Sequence, residues 1–115
     1  MSIVELSQAD NGNLIELKRG QQLSIRLPEN PTTGYRWEID STTVGLKEAT
    51  QEIITFESST FAPASRSGIG EGGQRTFVFK VANVGKTQLQ LKNWQPWEGE
   101  YSIIDRYNLT LQVCV

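Results

Sequence analysis

Residues 23–39 read LSIRLPENPTTGYRWEI, which is two alternating runs joined by a short loop. The first run (23–27) has leucine or isoleucine at every second position, and the second (35–39) has tyrosine, tryptophan and isoleucine there. An apolar residue at every second position is typical of a strand with one buried face. We therefore expect two strands that form a hairpin, with Pro28 ending the first. We call residues 30–35 the tip loop.

The same alternation recurs in other parts of the chain. It predicts further strands at 13–17, 53–56, 77–81, 88–92 and 107–113. About seven short strands separated by turn residues indicate an all-β fold, an immunoglobulin-like antiparallel β-sandwich. Residues 44–52 are the one place where a helical turn is conceivable. A length of 115 residues fits one compact domain, 1–115.

The composition argues against most kinds of enzyme. Histidine is absent, which excludes Ser-His and Cys-His dyads and histidine-ligated metal sites. The acidic residues are scattered, and no spacing suggests a catalytic pair or a metal site. We therefore predict no catalytic residue, no metal and no cofactor. With 13 acidic and 11 basic residues, the net charge of −2 also argues against a nucleic-acid partner.

Nothing in the chain resembles a membrane span or a signal peptide. No stretch approaches the ~20 consecutive apolar residues that a membrane helix requires. Residues 1–20 lack the segments of a secretory leader. Cys114 is the only cysteine, so no disulfide within the chain is possible, and we expect it to be a small packed residue. These features favour a cytoplasmic protein with no membrane contact. We also expect a monomer, although none of these features bears on the oligomeric state.

The tip loop has a purely structural explanation. Asn30 and Pro31 favour a turn, and Gly34 accepts a positive φ. A turn of this kind does not account for both Thr32 and Thr33. The alternative is that the loop is the tip of a binding surface.

A glycine-rich segment, residues 68–73, lies in a stretch (57–74) where we find no periodicity and expect a long loop. It is not a dinucleotide or phosphate loop, because no helix and no Gly-Lys-Ser/Thr follows it. One interpretation is a mobile linker. The other is that missing side chains allow a partner's backbone to pair with this segment, with Ile69 as an apolar anchor.

A third loop, residues 93–100, carries Trp94 and Trp97 on either side of Pro96. We call it the aromatic loop. Trp94 follows a strand directly and is expected to cap the core. Trp97 lies among polar residues, where burial is harder, and exposed tryptophan is frequent at interface hot spots. It is also a common stacking platform for sugars.

Together the three loops resemble the chagasin family, the immunoglobulin-like inhibitors of papain-family cysteine peptidases. That family carries an NPTTG-aromatic motif, a GxGG motif and an RPW-type motif, in this order. Here they read NPTTGY (30–35), GEGG (70–73) and QPW (95–97), spread over essentially the whole chain. Gln95 stands where the family usually has arginine, and we predict that this weakens or retunes the contact made there.

The resemblance implies a reversible, non-covalent inhibitor whose loops form a wedge at one end of the sandwich. Thr32 and Thr33 would cover the catalytic centre of the peptidase, and the segment from Ile69 to Gly73 would run along one side of its cleft. Trp97 would pack on the other side. The implied partners are papain-like cysteine peptidases of the cathepsin L-like, cathepsin B-like or cruzipain-like type.

The peptidase-binding residues implied by this resemblance are Asn30, Pro31, Thr32, Thr33, Gly34, Tyr35, Ile69, Gly70, Glu71, Gly72, Gly73, Gln95, Pro96 and Trp97. The main alternative is a carbohydrate- or ligand-binding sandwich module that uses Trp94, Trp97 and Tyr101 as a stacking surface. That alternative leaves the paired threonines and the glycine-rich segment unexplained. A purely structural adhesion domain is a further possibility.

Overall fold

The structure, a computed structural model, describes residues 2–40, 53–63 and 72–115. Eight strands occupy these residues. In chain order they are β1 (Ile3–Ser7), β2 (Leu14–Lys18), β3 (Gln22–Glu29), β4 (Arg36–Ile39), β5 (Ile54–Pro63), β6 (Gly73–Val81), β7 (Gly85–Trp94) and β8 (Asp105–Cys114). Within this part of the chain, no helix is long and apolar enough to cross a membrane. The helical turn considered at 44–52 lies outside the described residues.

The strands form two four-stranded sheets. Sheet A has the order β1-β3-β6-β5, and sheet B has the order β2-β8-β7-β4. The β-sandwich prediction is confirmed. The expectation of purely antiparallel pairing is wrong at two edges, where β1 lies parallel to β3 and β2 lies parallel to β8. The chain crosses to the other sheet after β1 and again after β2, so neither edge strand turns straight back onto a neighbour as in a hairpin.

The core lies between the sheets and is built by the predicted alternation. Its buried members are Leu17, Leu23, Ile25, Leu27, Trp37, Ile53, Ile54, Phe77, Phe79, Val81, Leu89, Leu91, Tyr107, Leu109, Leu111 and Val113. Tyr107 is fully buried, and its hydroxyl donates to the carbonyl oxygen of Ser7 at 2.9 Å, which links β8 to the end of β1. Burial raises the pKa of this phenol, and the Asp10 carboxylate adds to the rise.

The predicted hairpin between residues 23–27 and 35–39 is wrong, although both strands are present. Strand β3 belongs to sheet A and β4 belongs to sheet B. The tip loop is therefore an arch that carries the chain from one sheet to the other. As a result, no ladder of hydrogen bonds between β3 and β4 closes the base of the loop.

Pro28 does not end the first strand, because β3 continues to Glu29. On one side, β3 pairs with β6 through Pro28 and Glu29, while on the other side β1 reaches only as far as Arg26. Pro28 thus lies where one edge of β3 is no longer paired with β1, and a strand tolerates proline at such an edge.

The long loop predicted at 57–74 is also wrong at both ends. Strand β5 extends to Pro63, and β6 begins at Gly73. The pairing register of β5 shifts between Phe56 and Ser58, which is a β-bulge. A bulge inserts one residue and reverses the alternation of faces, so the sequence on its two sides shows no single period.

Two smaller expectations also fail. Strand β1 was not predicted; it is a five-residue edge strand with no fully buried residue. Cys114 is exposed rather than packed, because the core-facing residues of β8 are the odd-numbered ones that end at Val113. Its thiol lies at the end of β8 far from Asp105, where the strand begins.

Candidate functional site

The pairing registers bring the ends of the three predicted loops to one end of the sandwich. Glu29, directly before the tip loop, pairs with Gly73 at the start of β6. Arg36, directly after the tip loop, pairs with Trp94 at the end of β7. The tip loop therefore spans the two sheets, with Gly73 at the end of the glycine-rich segment on one side and Trp94 of the aromatic loop on the other.

The tip loop is a 3₁₀ turn over Pro31–Thr33 that is held by its own side chains. The Oδ1 of Asn30 accepts hydrogen bonds from the backbone N–H of Thr32 at 3.1 Å and from its hydroxyl at 2.6 Å. The hydroxyl of Thr33 donates to the carbonyl oxygen of Asn30 at 2.7 Å. The argument that a turn does not need both threonines is therefore wrong, since both hydroxyls stabilise this one.

The apex of this turn faces solvent. Pro31, Thr32 and Thr33 are exposed, while Tyr35 is only partly buried and lies outside the core. The loop itself uses both threonine hydroxyl hydrogens, so the apex offers a partner no free hydroxyl donor and no charged group. A surface of this kind can enter a narrow cleft without desolvating a charge.

The aromatic loop contacts the tip loop through Trp97. Gly34 has a φ of 83°, a left-handed conformation that glycine adopts without strain. A Cβ placed on Gly34 would lie 2.7 Å from the Cη2 atom of Trp97, so the indole ring rests directly on the glycine. Trp97 is nevertheless 68% exposed, as expected for a residue available to a partner.

Gln95 makes a second contact between these loops. Its Nε2 donates to the carbonyl oxygen of Thr33 at 3.3 Å. Gln95 and Pro96 are both partly buried, so in this loop Trp97 is the predicted site residue that is most exposed. The residue that departs from the family pattern therefore lies within the chain's own loop-to-loop contact.

The backbone of the connection after β7 is held by one serine. The hydroxyl oxygen of Ser102 accepts from the N–H of Gln95 at 3.0 Å, and its own hydrogen can reach the carbonyl oxygen of Gly99 at 2.6 Å. Glu98 closes a turn by donating its N–H to the carbonyl oxygen of Gln95. These bonds fix the backbone on both sides of Trp97.

Trp94 lies beside a buried lysine. The Nζ of Lys92 lies 3.5 Å from the ring centroid of Trp94 and 2.6 Å from the carboxylate of Glu100. Asp40, also buried, lies 3.8 Å from the same Nζ. One face of the Trp94 ring is occupied by this ammonium group, so it is not a free stacking surface, and the structure does not support the sugar-binding alternative.

The glycine-rich segment is described only at its end. Gly72 lies against the tip loop, since a Cβ there would be 3.1 Å from the carbonyl oxygen of Glu29. At Gly73 a Cβ would be 2.8 Å from the Cα of Pro63. These two glycines thus allow a close approach of the chain's own backbone, whereas the sequence suggested a partner's. Ile69, Gly70 and Glu71 lie outside the described residues.

Several residues of the site were not predicted. A groove between the tip loop and Trp97 is lined by Glu29, Pro31, Gly34, Tyr35, Arg36, Arg75 and Trp97. Glu29 had a signal in the sequence: it continues the core-facing alternation of residues 23, 25 and 27, so the pattern puts a carboxylate on the buried face. A strand that ends at Pro28, as expected from the sequence, leaves Glu29 out. For Lys92 and Ser102 we find no signal in the sequence.

Comparison with known proteins identifies the family. The model of the family described as "Chagasin family peptidase inhibitor I42" matches residues 16–111. Chagasin from Trypanosoma cruzi is 31% identical over 109 residues, which cover 94% of this chain and 96% of chagasin.

Two solved structures share the fold. The cysteine protease inhibitor EhICP2 from Entamoeba histolytica has a TM-score of 0.79 at 22% identity, with 99% of this chain and 97% of that chain covered. PbICP-C, solved in complex with falcipain-2, has a TM-score of 0.58 at 17% identity, with 99% and 100% covered. The resemblance drawn from the three motifs is thus confirmed, and the chain belongs to the chagasin family of peptidase inhibitors.

Proposed function

We propose that this chain inhibits papain-family cysteine peptidases reversibly and without covalent chemistry, by presenting its three loops to the active-site cleft. Membership of a family of peptidase inhibitors confirms the prediction that the chain is not an enzyme. The observation that carries the proposal is the contact of Trp97 with Gly34. It joins an exposed aromatic anchor to an exposed, rigid turn, so the two present one surface.

The tip loop acts by occupying the cleft. Its exposed apex is small, uncharged and held by internal hydrogen bonds. A loop that is already in its bound shape loses little conformational entropy on binding, which favours affinity. Thr32 and Thr33 then lie over the catalytic cysteine and histidine, which belong to the peptidase.

The same turn explains why the loop would not be cleaved. Residues Pro31–Thr33 form a 3₁₀ turn, so their peptide bonds are not presented as an extended strand. Pro31 fixes its own φ, and the Asn30 side chain caps the turn. Extending the loop along a substrate cleft would break these bonds. The inhibitor therefore blocks the active site and dissociates without being cleaved.

Trp97 anchors one flank of the surface. It is largely exposed in the free chain, and burying such a ring against apolar or aromatic groups of a partner contributes strongly to binding. The glycine-rich segment, with Ile69 to Gly73, lies along the opposite side of the cleft and makes main-chain contacts. That role is consistent with the position of Gly72 beside the base of the tip loop.

Titration of papain with this chain, read out with a fluorogenic peptide, tests the proposal. We expect competitive inhibition that is reversed by dilution, with the chain intact on a denaturing gel afterwards. Trypsin, a serine peptidase, serves as the class control and is expected to remain active. No inhibition of papain or of a cathepsin L-like enzyme at micromolar concentration would overturn the proposal.

A further inference from the structure

We propose that Glu29 is a positioning residue that holds the tip loop and the end of the glycine-rich segment in one fixed arrangement, and that it does so through Arg75. This inference rests on the proposed function for its effect on inhibition. Its geometric part concerns the free chain and can be tested separately.

The carboxylate of Glu29 is buried, and both of its oxygens accept hydrogen bonds. The residue is 4% exposed, its side chain has no exposed surface, and it directly precedes the tip loop. One oxygen accepts the backbone N–H of Trp37 at 2.7 Å. The other accepts Nε and Nη2 of Arg75 at 3.0 and 2.8 Å. A carboxylate is stable in such a position only when it is paired and hydrogen-bonded.

The bond to Trp37 closes the base of the tip loop. Glu29 is the last residue of β3, and Trp37 lies in β4, just beyond the other end of the loop. These strands belong to different sheets, so the base lacks the ladder that closes a hairpin. The Glu29 bond and a second bond, from the indole N–H of Trp37 to the carbonyl oxygen of Pro28 at 2.8 Å, take its place.

Arg75 extends this hold to the strands on either side of the glycine-rich segment. It lies in β6, two residues after Gly73. Its Nη1 donates to the hydroxyl of Ser59 in β5 at 3.2 Å, and its guanidinium lies 5.7 Å from the ring centroid of Phe61. One carboxylate therefore connects β3, β4 and β6 directly, and β5 through Arg75. These four strands carry both ends of the tip loop and of the segment 64–72.

The most informative change is Glu29→Gln. The amide oxygen can still accept the N–H of Trp37, but its NH₂ group then faces the donors of Arg75. The charge-assisted pair is lost, and two N–H donors of the Arg75 guanidinium are left without an acceptor. The strands remain paired by their ladders, so the sandwich stays folded while the relative position of the loops is released.

The inhibition experiment compares Glu29→Gln with Glu38→Gln. Glu38 is the matched control because its carboxylate also forms an ion pair with an arginine, Arg36, at 2.6 Å, but on the partly exposed surface of β4. We expect Glu29→Gln to weaken inhibition of papain at least about tenfold, with slower association, because preorganisation is lost. Glu38→Gln should stay within about twofold, as is usual for a surface pair. Inhibition by both variants is measured at a temperature at which circular dichroism shows that each variant is fully folded. A lower stability alone then does not change the result.

Backbone amide NMR of the free chain provides the second readout. In Glu29→Gln we expect shifts at Thr32, Gly34 and Gly72 that Glu38→Gln does not produce. Arg75→Met should produce the same shifts, and the double change with Glu29→Gln should cost little more inhibition than either alone, since the two residues act as one unit. If Glu29→Gln does not fold, papain inhibition and the amide shifts are both measured on Arg75→Met instead.

The outcomes separate the two proposals. If the natural chain inhibits and folded Glu29→Gln inhibits equally, with no shift at the loops, the positioning role is wrong while the proposed function stands. If the natural chain does not inhibit, the proposed function fails, and the NMR shifts alone decide whether Glu29 positions the loops. Additive effects of the changes at 29 and 75 would also overturn the coupling.

Discussion

The tip loop and the aromatic loop lie side by side, but they are held in different ways. The tip loop takes its shape from residues within it, because Asn30 caps the turn and Thr33 bonds back to Asn30. The aromatic loop has an internally bonded backbone, but its exposed ring, Trp97, rests on Gly34 of the other loop. A change at Gly34 in the tip loop should therefore disturb both loops, whereas removal of the Trp97 ring should disturb only the aromatic loop.

The bases of the two loops differ in a related way. Below the tip loop, Glu29 bonds to a backbone N–H as well as to Arg75, so it fixes the course of the chain. Next to the aromatic loop, the ammonium group of Lys92 contacts the side chains of Asp40, Trp94 and Glu100. Buried ion pairs add little net stability, but removing one partner is costly. Because the Glu29 carboxylate also bonds to the backbone of β4, we expect Glu29 to determine loop geometry more strongly than Lys92 does.

The largest effect should come from Gly34→Ala. A left-handed φ costs alanine roughly 1 kcal/mol or more, and the new Cβ would displace the Trp97 ring as well. We expect papain inhibition to fall about a hundredfold, since two anchors are lost together. Gly12→Ala is the matched control: its φ of 86° is equally unfavourable, but no atom lies within 4 Å of the new Cβ. Equal losses of inhibition in both variants would indicate a general loss of stability and would contradict a specific role for the contact of Gly34 with Trp97.

Trp97→Ala should have the next largest effect, restricted to one loop. We expect inhibition to weaken at least about tenfold, because an exposed ring available to a partner is removed. The thermal midpoint should hardly change, and hydrogen exchange at Thr32 and Thr33 should keep its rate. Tyr101→Ala, which removes an 86% exposed ring, is the control and should inhibit almost normally. Full potency of Trp97→Ala would show that this loop is not an anchor.

Asn30→Ala tests whether the tip loop is held from within. Losing the cap leaves the N–H and hydroxyl of Thr32 without their acceptor, at a cost of about 1 kcal/mol. We expect inhibition to weaken about fivefold and hydrogen exchange at Thr32 to accelerate. Asn30→Asp keeps the acceptor and should retain most of the inhibition. If the aspartate variant were as weak as the alanine variant, the cap would not be the reason.

Gln95→Arg should have the smallest effect. An arginine can still donate to the carbonyl oxygen of Thr33, and a charged donor makes a stronger hydrogen bond than an amide. We expect about threefold tighter inhibition of at least one papain-like enzyme. Gln95→Glu removes the donor and should shift inhibition in the opposite direction. Unchanged affinity of Gln95→Arg for every enzyme tested would contradict the prediction.

The sequence predicted most of the sandwich because its central strands alternate cleanly. Residues 23–27 and 107–113 keep one apolar face, and both are strands of the core. Strand β5 escaped prediction beyond Phe56 because a bulge reverses its faces, and β1 because it is a short edge strand. Pairing direction is not encoded in alternation at all, so neither the parallel edges nor the separation of β3 and β4 could be predicted from it.

The sequence by itself determined the two-sheet β architecture, the family, and the local shape of the tip loop. Asn30, Pro31 and Gly34 shape a turn through bonds and backbone preferences that reach only a few residues. Only the tertiary structure decided that Trp97 rests on Gly34 and that Glu29 bonds Arg75. Those contacts join residues far apart in the chain, and they exist because the packing of two sheets brings the ends of particular strands together. The stretch that reads as a turn between two strands is, in the folded chain, an arch between two sheets, and the buried carboxylate of Glu29 bonds across its base.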